Sequence, residues 1–180
     1  MNWNMCKVLP GLYVGNYMDS RDKRQLEGFQ ITHILTVLEH SEVKDKNSSG
    51  NHMYVEADDK STEDLSKSFK KCNDFIHRGR QSGGNVLIHC RSGKSRSVTI
   101  ATAYIMSTTG LKWEDALDVV MKCRPCAKPN KGFLKQLQEW DECGNVVEKI
   151  NSDVEFCADV MSMRNEQSVE QIDKYFFVGI

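Results

Sequence analysis

The chain has no long apolar run, little proline and almost no net charge, and each absence narrows the function classes that fit it. No apolar run reaches the roughly 20 residues that a transmembrane helix needs. The formal net charge of −1 gives no general attraction to nucleic acid or to a membrane surface, so any basic character must be local. With 180 residues, 39% of them hydrophobic, the composition is typical of one globular domain with a sizeable core. We predict no nucleic-acid partner.

The N-terminus lacks two signals that would change the compartment. Met1–Asn4 is polar and does not resemble a secretory signal peptide. Asn2 stands where N-myristoylation requires glycine, so we predict no stable membrane anchor. The seven cysteines, an odd number, then favour reduced thiols over a disulfide framework. These observations predict a cytoplasmic or nuclear protein.

The most informative stretch is Asn85–Ser97, which reads as a strand, a tight turn and the start of a helix. Val86–Ile88 is a short apolar run set off by two glycines, and the apolar stretch that begins at Val98 is long enough for a buried helix. Free backbone N–H groups at a helix N-terminus, together with the helix dipole, bind phosphate. The turn, Arg91–Arg96, is therefore predicted to bind a phosphate group, and we call it the phosphate loop.

Cys90 lies directly before the phosphate loop. Helix N-termini and neighbouring cations favour the thiolate form of a cysteine. Here Arg91, Lys94 and Arg96 supply the cations. We therefore predict an accessible, reactive thiolate at the mouth of the loop.

Three other interpretations compete for these residues. A nucleotide-binding P-loop would need glycine five positions before Gly93, where the chain has Ile88. Adjacent side chains on a strand point to opposite faces, and no second ligand pair at zinc spacing follows His89 and Cys90. A merely buried cysteine leaves the dense cations beside it unexplained. We predict that the site uses no metal and no cofactor.

His89 and Cys90, followed after five residues by Arg96 and Ser97, resemble the signature of the cysteine-dependent protein tyrosine phosphatases. Further motifs resemble those of the small atypical dual-specificity phosphatases: Ala103–Met106, Arg124–Pro125, Pro129–Phe133 and Gln136–Leu137. The resemblance runs from Lys7 to Glu139, about three quarters of the chain. It implies a protein phosphatase that acts on phosphotyrosine and on phosphoserine or phosphothreonine.

Strands interleaved with helices predict a layered α/β fold. Strands are expected within Lys7–Gly15 (two), Ile31–Leu38, Met53–Ala57 and Val86–Ile88; helices are expected near 19–27, 63–80, 98–106, 113–122 and 130–143. The family resemblance implies a single domain with a mostly parallel central sheet flanked by helices. We place the catalytic domain at 1–143 and expect 144–180 to be a tail, partly helical or disordered, whose apolar end, 175–180, either docks on its own domain or binds a partner.

The resemblance assigns roles to the phosphate loop and its neighbours. It implies that Cys90 attacks phosphorus and forms a phosphocysteine intermediate. The backbone N–H groups of the loop, formed by Arg91, Ser92, Gly93, Lys94, Ser95 and Arg96, would hold the phosphoryl oxygens. The planar guanidinium of Arg96 would match two of those oxygens.

The leaving oxygen needs a proton, and the resemblance places the acid on a loop about thirty residues before the cysteine. That spacing favours Asp59, with Asp58 as the neighbouring alternative; Glu63 and Asp64 remain further candidates. Ser97 is expected to hydrogen-bond the departing thiolate, although an ordinary serine at the start of a helix would look the same. His89 is expected to orient the loop and to help favour the thiolate form of Cys90 rather than to transfer protons, and Asn130 is expected to support the pocket.

The phosphate loop departs from the common family pattern. Ser92 replaces the usual alanine, and the additional cations Arg91 and Lys94 would favour substrates with more than one phosphate. A phosphoinositide or phospholipid phosphatase is therefore the alternative, and a phosphate-binding module without turnover is a third. The downstream motifs favour phosphorylated proteins, kinases among them. Cys123 and Cys126 resemble a redox pair, but Cys123 ends a helix, where the dipole disfavours a thiolate.

Overall fold

The structure is a computed structural model and describes residues 4–39, 41, 50–142 and 150–162. Its strands are β1 (Cys6–Leu9), β2 (Leu12–Gly15), β3 (Ile31–Leu38), β4 (His52–Glu56) and β5 (Asn85–His89); its α-helices are α1 (Lys23–Gly28), α2 (Phe69–Gln81), α3 (Arg96–Thr109), α4 (Trp113–Cys123), α5 (Lys131–Glu142) and α6 (Asn151–Ser162). No helix among the described residues combines the length and the apolarity that crossing a membrane requires.

The five strands form one sheet in the order β1-β2-β5-β3-β4. β1 pairs antiparallel with β2, and the other three pairings are parallel. The predicted single α/β domain with a mostly parallel sheet is confirmed. β5 lies at the centre because its apolar residues are buried from both faces. Its carboxyl end therefore delivers Cys90 to the edge of the sheet where ligands bind in open α/β folds.

The helix after the phosphate loop lies in the middle of the domain. Every residue of α3 is buried, and the helix contacts the sheet as well as α2, α4, α5 and α6. The inner face of α2 is buried as well, since Phe69, Cys72 and Ile76 recur at helical spacing and have no exposed surface. The start of α3 is therefore fixed by packing on all sides.

Two helix starts differ from the prediction by about one turn or more. α2 begins at Phe69, not at 63 or 64, because the side-chain oxygen of Gln136 accepts the N–H groups of Leu65 and Ser66 at 2.9 and 3.0 Å. α1 begins at Lys23, where the side chain of Asp22 accepts backbone N–H groups of the first turn. In both cases a side-chain hydrogen bond sets where the helix begins, and the spacing of apolar residues does not indicate such bonds.

The beginning of the predicted tail forms a helix that packs on the domain. The buried carboxylate of Asp153 in α6 forms a two-pronged ion pair with Arg80 of α2, at 2.6 and 2.8 Å. The Ile150 N–H donates to Thr108 of α3. The apolar end, 175–180, lies outside the described residues, and the domain boundary at 143 stays a prediction.

Candidate active site

The phosphate loop connects the central strand to the N-terminus of the buried helix α3. Arg91, Ser92 and Lys94 are exposed, whereas Gly93, Ser95 and Arg96 are buried. The strand, turn and helix that were predicted for Asn85–Ser97 are present, because β5 ends at His89 and α3 begins at Arg96.

Three carbonyl oxygens of the phosphate loop are held from outside by other segments. The Tyr17 N–H donates to the carbonyl oxygen of Arg91 (3.2 Å), and the Lys128 N–H donates to that of Lys94 (2.7 Å). The Nε–H of Arg124 donates to the carbonyl oxygen of Gly93 (2.6 Å). In a trans peptide the N–H points opposite to the carbonyl. The N–H groups of Ser92, Lys94 and Ser95 therefore point away from these partners. The Gly93 N–H donates to Cys90 Sγ at 3.2 Å, which marks the inner side of the loop.

The sulfur of Cys90 lies at the base of the loop. Besides the Gly93 N–H, it contacts the Ser97 hydroxyl at 3.3 Å. We expected an accessible sulfur at the mouth, and this is wrong, because Cys90 has an exposed fraction of 0%. Gly93, whose N–H contacts this sulfur, has φ +65°.

Arg96 is the first residue of α3, and its side chain is 3% exposed. One guanidinium nitrogen donates to the carbonyl of Ala57 at 3.0 Å and lies 4.0 Å from the carboxylate of Glu39. Ala57 directly precedes the two candidate acids. The guanidinium is thus fixed where the end of β4 meets the phosphate loop.

Of the two neighbouring aspartates, the structure brings Asp59 to the phosphate loop. The Ser95 hydroxyl donates to Asp59 Oδ1 at 2.7 Å, and the side-chain amide of Asn130 donates to the same oxygen at 3.0 Å. Asp58 instead pairs with exposed Lys60 at 2.6 Å. Ser95 directs its hydroxyl to Asp59 instead of capping α3. Asp59 is therefore the carboxylate that contacts the phosphate loop.

The start of α5 holds the segment that carries Asp59. Asn130 also contributes its backbone N–H to Ser95 Oγ, and its side chain accepts the Phe133 N–H, as an N-cap does. Gly132 packs so closely on Ser61 that an added Cβ would overlap the Ser61 carbonyl oxygen. The expected support of the pocket by Asn130 is present as this hydrogen-bond network.

His89 is buried at the end of β5. Its Nε2 contacts Thr36 Oγ1 at 2.7 Å, and that hydroxyl also contacts His52 at 2.9 Å. Burial lowers the pKa of His89 to about 4, and the nearby His52 adds to the lowering. His89 is therefore neutral near pH 7. This position agrees with an orienting role beneath the loop.

The cysteines outside the loop do not form a reactive pair. The six cysteines in the described part of the chain are free thiols. Burial raises the pKa of Cys123 to about 12, which opposes a thiolate there, as predicted from its position at the end of α4. Within the described ranges, no group of three or more His, Cys, Asp or Glu side chains is arranged to hold a metal ion.

Sequence reasoning missed the residues that hold the loop from outside. Arg124 was noted only as part of an arginine-proline motif, and Lys128 and Tyr17 were not considered. Ser95 was assigned a backbone role alone, yet its hydroxyl links the loop to Asp59. The Arg124–Pro125 motif marks Arg124 in the sequence, but the Gly93 carbonyl that Arg124 binds lies 31 residues away.

Known proteins share this fold and sequence pattern. Residues 12–143 match the family model of the dual specificity phosphatase catalytic domain. The chain is 44% identical to human dual specificity protein phosphatase 22 over 142 residues, which are 79% of this chain and 76% of that protein. It is 42% identical to mouse dual specificity protein phosphatase 15 over 140 residues, 78% of this chain and 59% of that protein.

A solved structure of this family has a similar fold. The crystal structure of DUSP15 superposes with a TM-score of 0.71 at 37% identity, covering 92% of this chain and 99% of that one. The relatives are protein phosphatases, so the phosphoinositide alternative is not favoured. Together with the phosphate loop and the aspartate beside it, these matches show that the chain is an enzyme that belongs to the dual specificity protein phosphatase family.

Proposed function

We propose that this phosphatase works through a phosphocysteine intermediate formed on Cys90. The thiolate attacks the phosphorus atom in line with the leaving oxygen, and the S–P bond forms as the P–O bond breaks. The inward N–H groups of the phosphate loop and the Arg96 guanidinium hold the other phosphoryl oxygens, where charge must be stabilised. The fixed loop carbonyls support this proposal, since they orient the N–H groups before substrate arrives.

We propose Asp59 as the general acid and then the general base. It donates a proton to the leaving oxygen in the first step and accepts a proton from the water that cleaves the S–P bond in the second. The observation that carries the proposal is the hydrogen bond from Ser95 to Asp59, because it joins the carboxylate to the loop that holds Cys90 and Arg96.

Ser97 and His89 act on the sulfur in different ways. The Ser97 hydroxyl, 3.3 Å from Cys90 Sγ, donates to the thiolate when it leaves phosphorus in the second step. His89 orients the backbone at the start of the phosphate loop through its bond to Thr36. Because His89 is neutral near pH 7, it does not supply charge to the sulfur.

Substitutions that remove the nucleophile and the acid test this mechanism. Cys90→Ser is expected to abolish turnover of an aryl phosphate. Asp59→Asn is expected to slow a substrate with a poor leaving group, such as phenyl phosphate, by about a hundredfold or more. The same variant should slow para-nitrophenyl phosphate much less, since that leaving group needs little protonation.

Asp58→Asn is the matched control, because it removes the adjacent carboxylate on the same segment. It is expected to leave the ratio of the two rates unchanged. If Asp59→Asn slows phenyl phosphate and para-nitrophenyl phosphate equally, Asp59 is excluded as the acid. Turnover by Cys90→Ser would exclude the phosphocysteine intermediate.

The substrates we propose are phosphorylated proteins, kinases among them, with phosphotyrosine and phosphoserine or phosphothreonine both accepted. The exposed cations Arg91 and Lys94 beside the loop favour a second phosphate or acidic residue near the target. Lys94→Gln is expected to reduce kcat/KM more for a doubly than for a singly phosphorylated peptide. An equal reduction for both peptides would contradict this preference.

We propose that the protein acts in the cytoplasm or the nucleus. Support comes from the six free thiols of the described residues, which fit a reducing compartment. Fluorescence microscopy of the tagged full chain tests this. A signal confined to a membrane or to the secretory pathway would contradict it.

A further inference from the structure

A charged side chain without any exposed surface lies behind the phosphate loop. Arg124 follows α4 and has an exposed fraction of 0%; among the residues that the structure describes, it is the largest side chain buried to this degree. Burying a guanidinium is costly unless its N–H groups are hydrogen-bonded. The hydrogen bonds that Arg124 makes must therefore offset the cost of burying its charge.

The shortest of these contacts goes to the phosphate loop. Arg124 Nε donates to the carbonyl oxygen of Gly93 at 2.6 Å. That oxygen belongs to the peptide group whose N–H is on Lys94. Since the two ends of a trans peptide point in opposite directions, the bond directs the Lys94 N–H to the inner side of the loop. A charge-assisted bond to the carbonyl opposes rotation of this peptide.

One further nitrogen of the guanidinium, Nη1, is fixed to the sheet, whereas Nη2 is buried without a hydrogen-bond partner among the described residues. Nη1 donates to the carbonyls of Asn4 and Val14 at 3.0 and 3.3 Å and to the sulfur of Cys6 at 3.3 Å. These partners lie at β1 and β2 and on the segment before them. Arg124 thus connects a rigid part of the sheet with one peptide group of the loop, and the planar guanidinium keeps that distance constant.

The loop lies directly against this side chain. A Cβ placed on Gly93 would be 2.5 Å from Arg124 Nη2 and 2.5 Å from the carbonyl oxygen of Gly15. Gly93 also has φ +65°, a conformation that other residues rarely adopt. The peptide between Gly93 and Lys94 therefore has little freedom to occupy another position while Arg124 is in place.

We propose that Arg124 is a positioning residue that sets the phosphate affinity of the loop by fixing the Lys94 N–H. It touches neither the substrate nor Cys90 and acts through the backbone of Gly93. The inference rests on the proposed function, since it assumes that the phosphate loop binds the phosphoryl group. Lysine cannot replace it, because one ammonium cannot contact Gly93 and the sheet carbonyls in this arrangement.

The test is the binding of inorganic phosphate to the full chain, followed by the backbone amide signals in ¹H–¹⁵N NMR. In the wild type, phosphate is expected to shift the amide signals of both Lys94 and Ser92. In Arg124→Met, the Lys94 shift is expected to be lost and the Ser92 shift kept, because the peptide before Ser92 is held by Tyr17. The inhibition constant of phosphate should rise about tenfold to a hundredfold, the range expected when one hydrogen bond to a charged group is lost.

Arg80→Met is the matched control, because Arg80 is also a largely buried arginine, with 8% of its side chain exposed, that donates to a backbone carbonyl, that of Pro10. It lies away from the phosphate loop, so its variant should lose stability but keep both amide shifts and the inhibition constant. If Arg80→Met weakens phosphate binding as much as Arg124→Met does, Arg124 acts only through stability and the proposal is wrong.

If Arg124→Met does not fold, Arg124→Lys answers the same question. It keeps the charge, and we expect it to lose the Lys94 shift. Wild-type phosphate binding and an intact Lys94 shift in Arg124→Lys would overturn the proposal. Failure of the proposed mechanism would be seen separately, as turnover by Cys90→Ser.

Discussion

Acidification is expected to destabilise the fold through one residue, His89. Its pKa is lowered from the ordinary value of 6.5 to about 4 because the imidazole is buried beneath the phosphate loop. The unfolded chain therefore takes up a proton at a higher pH than the folded chain does. The stability that comes from neutral His89 is complete above pH 6.5 and is lost progressively as the pH falls through 4.

The size of the effect follows from the difference between the two pKa values. The difference of about 2.5 units corresponds to about 3 kcal/mol in the free energy of unfolding. Of this, about 2 kcal/mol is lost between about pH 7 and about pH 4.5, because the unfolded form is almost fully protonated at the lower pH and the folded form only partly.

Urea unfolding of the wild type and of His89→Gln, followed by fluorescence of the three tryptophans, measures this contribution. Carboxylates titrate in both proteins, so the difference between the two reports His89 together with its coupling to the neighbouring His52. The wild type should lose about 2 kcal/mol more than the variant over this pH range. Equal losses would show that His89 titrates near its ordinary value and would refute the reasoning.

Three further substitutions test the packing of the domain. Gly132→Ala should push back the segment at Ser61 and lower kcat for phenyl phosphate by about tenfold to a hundredfold, with a smaller effect on para-nitrophenyl phosphate; equal effects would contradict this. Asp153→Asn should leave Arg80 buried without its partner and lower the free energy of unfolding by about 3 kcal/mol or more; an unchanged urea midpoint would show that α6 is not needed. Gly93→Ala should weaken inhibition by inorganic phosphate, because the new Cβ would lie 2.5 Å from the guanidinium behind the loop; an unchanged inhibition constant would contradict the close contact.

The strand, turn and helix around the phosphate loop could be predicted because their signals are local. A short apolar run, a turn with glycine and an apolar helix follow one another within Asn85–Thr109, and the spacing between Cys90 and Arg96 lies inside one turn. The fold class followed from the alternation of such segments. In each case the residues that decide the structure are neighbours in the sequence.

The choice between the two aspartates needed the tertiary structure. Asp58 and Asp59 are adjacent and chemically identical, and counting from Cys90 could only favour one of them. Only Asp59 accepts hydrogen bonds from the side chains of Ser95 and Asn130, which lie 36 and 71 residues from it in sequence. The late start of α2 has the same origin, since Gln136 takes up backbone N–H groups about 70 residues earlier in the chain.

The residue pattern alone places a cysteine and an arginine on one turn between a buried strand and a buried helix, because both residues belong to one short segment. The full burial of the sulfur, the contact of Asp59 with the loop and the bond from Arg124 to Gly93 become visible in the folded chain alone. These features depend on hydrogen bonds between segments that are distant in sequence, and neither residue spacing nor apolar periodicity carries information about such contacts.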